Sequence, residues 1–309
     1  NTSMTRPILV FLLAWQLFHR TGHALVSLHE TSRRDAIQLV GWLASTSVPH
    51  PAKASSSITS TDAQNLLALI PKRNFDAPAT NATISAELTS QIESLAASME
   101  NHQRNNAQSP LLRGNWRLLY SNGAEITNLA TNLPLGFQLG KTVQPIGNDV
   151  FENRGTLDHP LKLAHWQTNV IGDVRVAPAG SLNAAGVKND RGNRVDVDFR
   201  VLVFVLDEVF GRPVRFQKIL IPRPLAKGKP QPANDITYLD ETLRIVRGGD
   251  GALFIFQREN DVKLLTAEER NLLLGSSATS KQERIDVGIG MAEKSSSPEL
   301  QFLFQERKQ

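Results

Sequence analysis

Two hydrophobic periods divide the chain. Between residues 82 and 104 the apolar positions Ile84, Leu88, Ile92 and Leu95 recur at steps of three and four. That stripe predicts a half-buried helix, placed across a sheet or at one end of a barrel. A shorter helix is read over 60–72, with Asp62 as a cap and Pro71 ending it. From residue 112 the period becomes two. Trp116, Leu118 and Tyr120 alternate with Arg117, Leu119 and Ser121. "DVFENRGTL" and "AHWQTNVIGDVRVAP" give further strands, the second with Trp166, Thr168 and Val170 in phase. The longest alternation places Val195, Val197, Phe199, Val201, Val203 and Val205 on one face, against Asp196, Asp198, Arg200, Leu202 and Phe204. One face in a core and one in water is the expected arrangement.

The connections follow from turn chemistry. "KNDRGN" reads as a hairpin turn, and residues 222–234, with four prolines, as a surface loop. "DITYLDETLRIVRGGDGALFIFQREN" reads as two strands around a Gly-Gly-Asp-Gly turn. Thr266 and Glu269 have capping-box spacing for a last short helix over 267–274. Helices followed by many alternating antiparallel strands predict a mainly β fold, a closed barrel or a sandwich. No repeat of propeller length is present.

The N-terminal pattern is different. After Met4, read as the translation start, Arg6 precedes an apolar run over Pro7–Phe18, with Gly22 and Ala24 as small residues at a cleavage site. This is secretory signal grammar, and the run is too short to span a bilayer. Arg33 and Arg34 then precede a second apolar stretch ending in Ala52-Lys53-Ala54, which resembles a twin-arginine signal. Two signals in series resemble the targeting of a thylakoid-lumen protein in an alga with a secondary plastid. The expected organisation is a signal peptide over 1–24 and a transfer segment over 25–54. A flexible start with a short helix follows over 55–81, then the folded domain over 82–275 and a disordered tail over 276–309. Asn81-Ala82-Thr83 matches a glycosylation sequon and also suits a helix cap.

Charge and composition narrow the function. The formal charge is +4, but residues 1–54 hold five Lys/Arg and two acids and so carry three of those charges. The rest is nearly neutral, which argues against a nucleic-acid surface. Absence of cysteine excludes disulfides and thiolate chemistry. Of seven histidines only His102, His159 and His165 lie beyond the targeting segments, at spacings that suggest no shared metal. No nucleophile elbow, phosphate loop or dinucleotide fingerprint occurs. Asp196 and Asp198 sit on one strand face and read as solvated rather than as an acid/base pair. Asp240 and Arg244, four apart, are expected to form an ion pair at a barrel rim.

The triplet Gly114-x-Trp116 resembles the lipocalin start, in which the Trp plugs one end of the barrel and an arginine stacks on it. Arg258, in phase with Phe254 and Phe256, is preferred for that cation over Arg247, in phase with Leu243 and Ile245. "GNWRLLYSN", "LPLGFQLGKTVQPI", "NRVDVDF" and "YLDETLRIVRGGDGALFIFQRE" together resemble the plastid lipid-associated proteins, or fibrillins, over about residues 85–260. The motif positions are Gly114, Trp116, Tyr238, Leu239, Asp240, Arg244, Arg247, Gly248, Gly251 and Phe254, with Ile255 where the family usually has Val. The resemblance implies a lipocalin-like antiparallel β-barrel in plastids, at plastoglobules, thylakoids or stroma. It implies association with carotenoids, quinones or acyl lipids, and lends no catalytic residues and no cofactor.

The expectation is therefore a non-enzymatic binder of a lipophilic plastid metabolite. Its wall is formed by Trp116, Leu118, Tyr120, Val197, Phe199, Val201, Val203, Phe254 and Phe256. The alternative is an assembly protein with a filled barrel, whose outer residues Leu202 and Phe204 meet a thylakoid membrane or a photosynthetic complex. A third class, an enzyme acting on xanthophylls, is disfavoured by the lack of a clustered acid pair.

Overall fold

A computed structural model describes residues 60–100, 102–222, 231–261, 263–271 and 283–285. The two targeting segments lie outside them. Helix α1 (Ser60–Leu69) and a two-residue strand β1 (Ala79–Thr80) precede helix α2 (Ala86–Met99). Strand β2 (Gly114–Ser121), a short helix α3 (Ala124–Thr131), and strands β3 (Gln138–Ile146), β4 (Val150–Asp158) and β5 (Ala164–Val176) follow. Then come β6 (Arg194–Val209), β7 (Arg212–Pro222), β8 (Ala233–Leu239), β9 (Leu243–Gly248) and β10 (Leu253–Glu259). A last turn of helix, α4, covers 267–271, and β11 is Glu283–Ile285.

Among the described residues, eight antiparallel strands close a barrel in the order β6-β5-β4-β3-β2-β10-β9-β8 and back to β6. Closure rests on a short seam, Arg194–Asp196 of β6 beside Ala233–Asp235 of β8. Above that seam β6 leaves β8 and pairs with β7 from Leu202 to Val209. A buried ion pair holds the seam. Arg194, 1% exposed, donates from Nε and Nη2 to the Asp235 carboxylate at 2.7 and 2.9 Å, and from Nη1 to the Ser181 carbonyl at 2.8 Å.

The helices form a layer on the outer face of β8, β9, β10 and β2. Ile92, Ala96 and Met99 of α2 and Leu66 of α1 pack against Tyr120, Tyr238, Leu243, Ile245, Leu253 and Ile255. The stripe predicted for α2 therefore exists, with Ile84, Leu88 and Leu95 at its edge. The cap is Ser85, whose hydroxyl accepts from the Leu88 amide at 3.2 Å. Thr83 of the sequon instead binds Thr80, and Asn81 accepts from the Thr127 hydroxyl. The helix stops at Met99 rather than 104. Glu100 has left helical geometry to accept from Arg247 at 2.8 and 2.9 Å and from Thr237 at 2.9 Å.

Several elements differ from the sequence reading. The segment expected as two strands is three, because Asp240 accepts from the Thr242 and Leu243 amides at 2.7 Å and turns the chain between β8 and β9. Strands β3 and β7 and helix α3 were not predicted by periodicity. The capping box is present: the Thr266 amide donates to Glu269 at 2.7 Å and the Glu269 amide to Thr266 at 3.2 Å. Inside the stretch read as a disordered tail, Glu283–Ile285 pair in parallel with Leu220–Pro222 of β7.

Candidate functional site in the barrel interior

Of the bulges in the barrel strands, two decide which of the expected wall residues on β2 and β6 face the interior. Tyr120 stands opposite Ile255 while Leu118 stands opposite Phe256, so Leu119 is an extra residue in β2. Trp116 and Leu118 face inward, and Tyr120 is turned out onto α2, where its hydroxyl donates to Glu93 at 2.6 Å. The second bulge is Arg200. Gly172 pairs with Phe199 and Ile171 with Val201, leaving Arg200 without a partner in β5. Strand β5 keeps its alternation there, so β6 changes face.

The consequence corrects the single-face reading of β6. Val195, Val197 and Phe199 point inward with Val174 and Phe151. Val201 and Val203 point outward, into a separate cluster with Ile171, Val205, Ile219, Ile221 and Leu265. Leu202 and Phe204, expected outside, lie with Val170 and Leu220 on the sheet face that continues the interior. The structure thus gathers Trp116, Leu118, Val197, Phe199, Phe254 and Phe256 in one cluster. Tyr120, Val201 and Val203 are not part of it. Ile146, Phe151, Val174, Ile236 and Val246 belong to it and were not singled out.

The interior is graded. At the Trp116 end, Trp116, Leu118, Ile236 and Val246 are buried and pack on Ala107 and Leu112 from short turns below the barrel. Further along, Phe199, Phe254, Val170 and Phe204 are only half-buried. Phe151 and Phe199 meet edge to face, 5.8 Å between centroids. Gly172 makes room for this pair, since a Cβ there would lie 2.4 Å from Phe151.

Arg258 closes the lower end, as the periodicity preferred. Its guanidinium lies 4.3 Å from the Trp116 ring centroid and donates to the carbonyls of Glu241 (2.6 Å), Arg113 (3.0 Å) and Leu111 (2.5 Å). The Trp116 indole donates to the Leu112 carbonyl at 2.9 Å. Arg247, on the opposite face of β9, binds Glu100 at the end of α2. Tyr238 donates to Asp240 at 2.8 Å, within the β8–β9 turn.

The expected rim pair of Asp240 and Arg244 does not form. Asp240 serves the turn and Tyr238, while Arg244 projects into the interior. It is fully buried, 4.1 Å from the Phe256 centroid and 5.0 Å from that of Trp116. Its Nη2 donates to the Gln144 side-chain oxygen, and Gln144 donates in turn to Asn153 at 2.7 Å. Nε and Nη1 have no hydrogen-bond partner. Burial, and then the nearby charge of Arg258, push its pKa well below the ordinary arginine range. The spacing of Asp240 and Arg244 suggested a pair; strand alternation, with Arg244 two residues before Val246, was the signal for its inward direction.

One end of the barrel carries an apolar edge. Leu161 and Phe210 are 75% and 73% exposed, and Leu135 and Leu163 lie beside them. The Phe210 amide donates to the Leu163 carbonyl at 2.9 Å, and the His159 ring is 2.9 Å from the Leu135 carbonyl, so the three loops adjoin. Between the helices and β3, a separate cavity of about 420 Å³ is lined by Lys72, Arg73, Asn74, Ala77, Ala130, Gln138 and Leu139. Among the described residues no group of three or more His, Asp or Glu could hold a metal ion.

A small antiparallel barrel that opens on Gly-x-Trp, with an arginine of its last strand over the indole, defines a lipocalin-like protein. The chain matches the PAP_fibrillin family over residues 79–257 and belongs to that family, the plastid lipid-associated proteins. Among curated proteins, none matches the chain. The family is plastid-associated, and its members are structural lipid-associated proteins rather than known enzymes.

Proposed function

We propose that the chain holds a lipophilic plastid metabolite, a carotenoid, quinone or acyl lipid, in the half-buried part of its barrel, without catalysing its conversion. The supporting observation is the gradation of the interior. The Trp116 end is packed with side chains, whereas Phe199, Phe254, Val170 and Phe204 present partly uncovered apolar surface on the same inner face. Covering such surface with a ligand contributes about 25 cal/mol per Å² of apolar area. Family membership supports lipid association. Purified protein mixed with a thylakoid lipid extract and repurified should carry bound lipophile by mass spectrometry, and Phe199→Glu should lose it. A wild-type protein that comes back empty overturns the reading.

The exposed edge formed by Leu135, Leu161, Leu163 and Phe210 supports a second use, docking of that end on a thylakoid or plastoglobule surface. Lys162 stands between two of these residues. This replaces Leu202 and Phe204 as the membrane-facing candidates, since both lie on the inner face. Leu161→Asp with Phe210→Asp should abolish flotation with thylakoid-lipid vesicles and leave ligand uptake intact. Unchanged flotation removes the docking role. The twin-arginine-like segment supports delivery to the thylakoid lumen as a finer location within the plastid.

A further inference from the structure

We propose that Arg244 is the counter-ion for the carboxylate head of a single-chain amphiphile held inside the barrel, with Gln144 and Asn153 completing the polar end of the site. The proposal rests on the reading of the barrel as a lipophile binder and narrows its ligand to an acyl chain with an anionic head.

Arg244 is the anomaly of the interior. It is a wholly buried guanidinium among Trp116, Phe256 and other apolar groups, and no carboxylate is paired with it among the described residues. Other buried or half-buried arginines meet a full set of acceptors: Arg194 meets Asp235, Arg247 meets Glu100, Arg154 meets Glu152, and Arg258 donates to three carbonyls. Arg244 receives one neutral amide oxygen from Gln144 for five N–H donors. A buried charge left in this state is costly, and an arriving anion relieves it. The guanidinium fork matches a carboxylate with two parallel hydrogen bonds.

The surroundings supply the rest of an amphiphile site. Gln144, Asn153, Thr142 and Thr168 make a polar track on β3, β4 and β5, all half-buried. Facing inward on β6 are Phe199, Leu202 and Phe204. From Phe199 to Leu206 the strand rises about 23 Å at 3.3 Å per residue, comparable with a long acyl chain. The chain would leave Arg244 along this wall toward the end where Leu161 and Phe210 are exposed. A head group beside Arg244 adds a charged acceptor where Gln144 now supplies the one hydrogen bond at Nη2, its two oxygens reaching Nε with Nη2 or Nη1 with Nη2.

The test compares head groups on one tail, using the full chain. Oleate, oleyl alcohol and methyl oleate are titrated by calorimetry, with sodium acetate as the tail-free control. Oleate should bind at least about tenfold more tightly than the alcohol or ester, and acetate should not compete. In Arg244→Met the oleate preference should vanish while alcohol binding persists. Carboxyl-labelled oleate, followed by NMR on the wild-type complex, should titrate below free oleate, because the guanidinium favours the ionised form. This readout stands even if the variant fails to fold. Equal affinity for oleate and oleyl alcohol, a preference that survives in folded Arg244→Met, or a carboxyl that titrates as in water overturns the proposal while leaving lipophile binding in place. Acetate bound as well as oleate assigns the arginine to small anions and also overturns it. Absence of binding by all three lipids overturns the proposal, and the thylakoid-extract experiment then decides separately whether the barrel holds any other lipophile.

Discussion

The Arg258 guanidinium occupies the space that any side chain on Gly114 would need. A Cβ built on Gly114 would stand 2.3 Å from Arg258 Nη1, and the glycine has φ of +130°, a backbone conformation L side chains avoid. The first residue of Gly-x-Trp is therefore fixed by the arginine that stacks on the third. The triplet and the arginine are one lock, joining β2, β10 and the turn at Leu111–Arg113.

Gly114→Ala should accordingly cost at least about 2 kcal/mol, from backbone strain and displacement of Arg258. Arg258→Met should cost about 2 kcal/mol through the lost cation–π contact and the stranded carbonyls. In the double variant the losses should fall short of their sum, because both changes break the same lock. Urea unfolding of the four proteins measures this. Strictly additive losses would mean that the glycine serves some other purpose.

The β6–β8 seam predicts an asymmetric response at Arg194 and Asp235. Removing one partner of a buried pair leaves the other charged and uncompensated, at a cost of about 3–5 kcal/mol. Asp235→Asn and Arg194→Met should each fall in that range. The double replacement Arg194→Met with Asp235→Leu should recover a large part of the loss, since no charge then remains buried. Denaturant midpoints decide it. A single variant within about 0.5 kcal/mol of wild type would show that the three-residue seam holds without its ion pair.

The end of α2 carries a similar dependence. Arg247 and Thr237 hold Glu100 out of the helix and so tie the helical layer to β9 and β8. Glu100→Gln keeps the shape and removes the charge. It should lower stability by about 1–3 kcal/mol and raise hydrogen exchange in α1 and α2 before it does so in the barrel. Uniform acceleration in both layers would deny the helices this separate attachment.

The sequence showed the barrel but not the direction of every side chain on it. Alternation, turn residues and the Gly-x-Trp lock were all visible, because each is written in local residue order. The bulges at Leu119 and Arg200 were not. A bulge adds one residue without changing composition, and at both sites apolar residues stand on either side of it. Val201 therefore looked like a continuation of Val197. Strand β7 was hidden for a related reason: Arg215, Gln217 and Lys218 interrupt its apolar positions, and pairing with β6 completes it. Arg244 was visible as a motif residue, but its isolation required knowing that Asp240 was engaged elsewhere.

Processing of the N-terminus can be checked directly on native protein. If the segment over 25–54 acts as a twin-arginine transfer signal, the mature chain begins at Ser55, after Ala52-Lys53-Ala54. N-terminal sequencing of protein from isolated plastids should read Ser-Ser-Ser-Ile. Replacing Arg33 and Arg34 with lysine should leave a longer form outside the thylakoid. A mature start near Leu25 would keep the plastid assignment and remove the lumen from it.

The two tyrosines of the chain give a pH prediction of definite sign. Tyr120 is buried and donates to Glu93; Tyr238 is buried and donates to Asp240. Burial first, and then the hydrogen bond to a carboxylate, raise both pKa values in the folded state. An unfolded tyrosine loses its proton near pH 10. Above that pH the unfolded chain releases protons that the folded chain retains, so stability falls as pH rises past about 10 and is untouched by these groups below it. Native protein should show no tyrosinate absorbance near pH 10, whereas protein in denaturant should show two groups titrating there. The native signal should rise only at higher pH, together with loss of the folded circular dichroism. Tyr120→Phe should flatten part of the alkaline slope of stability, while the ligand-facing interior stays unchanged because Tyr120 lies on the helix side of the bulge. A native chain whose tyrosines titrate as freely as the unfolded one would contradict the outward, helix-covered placement of Tyr120.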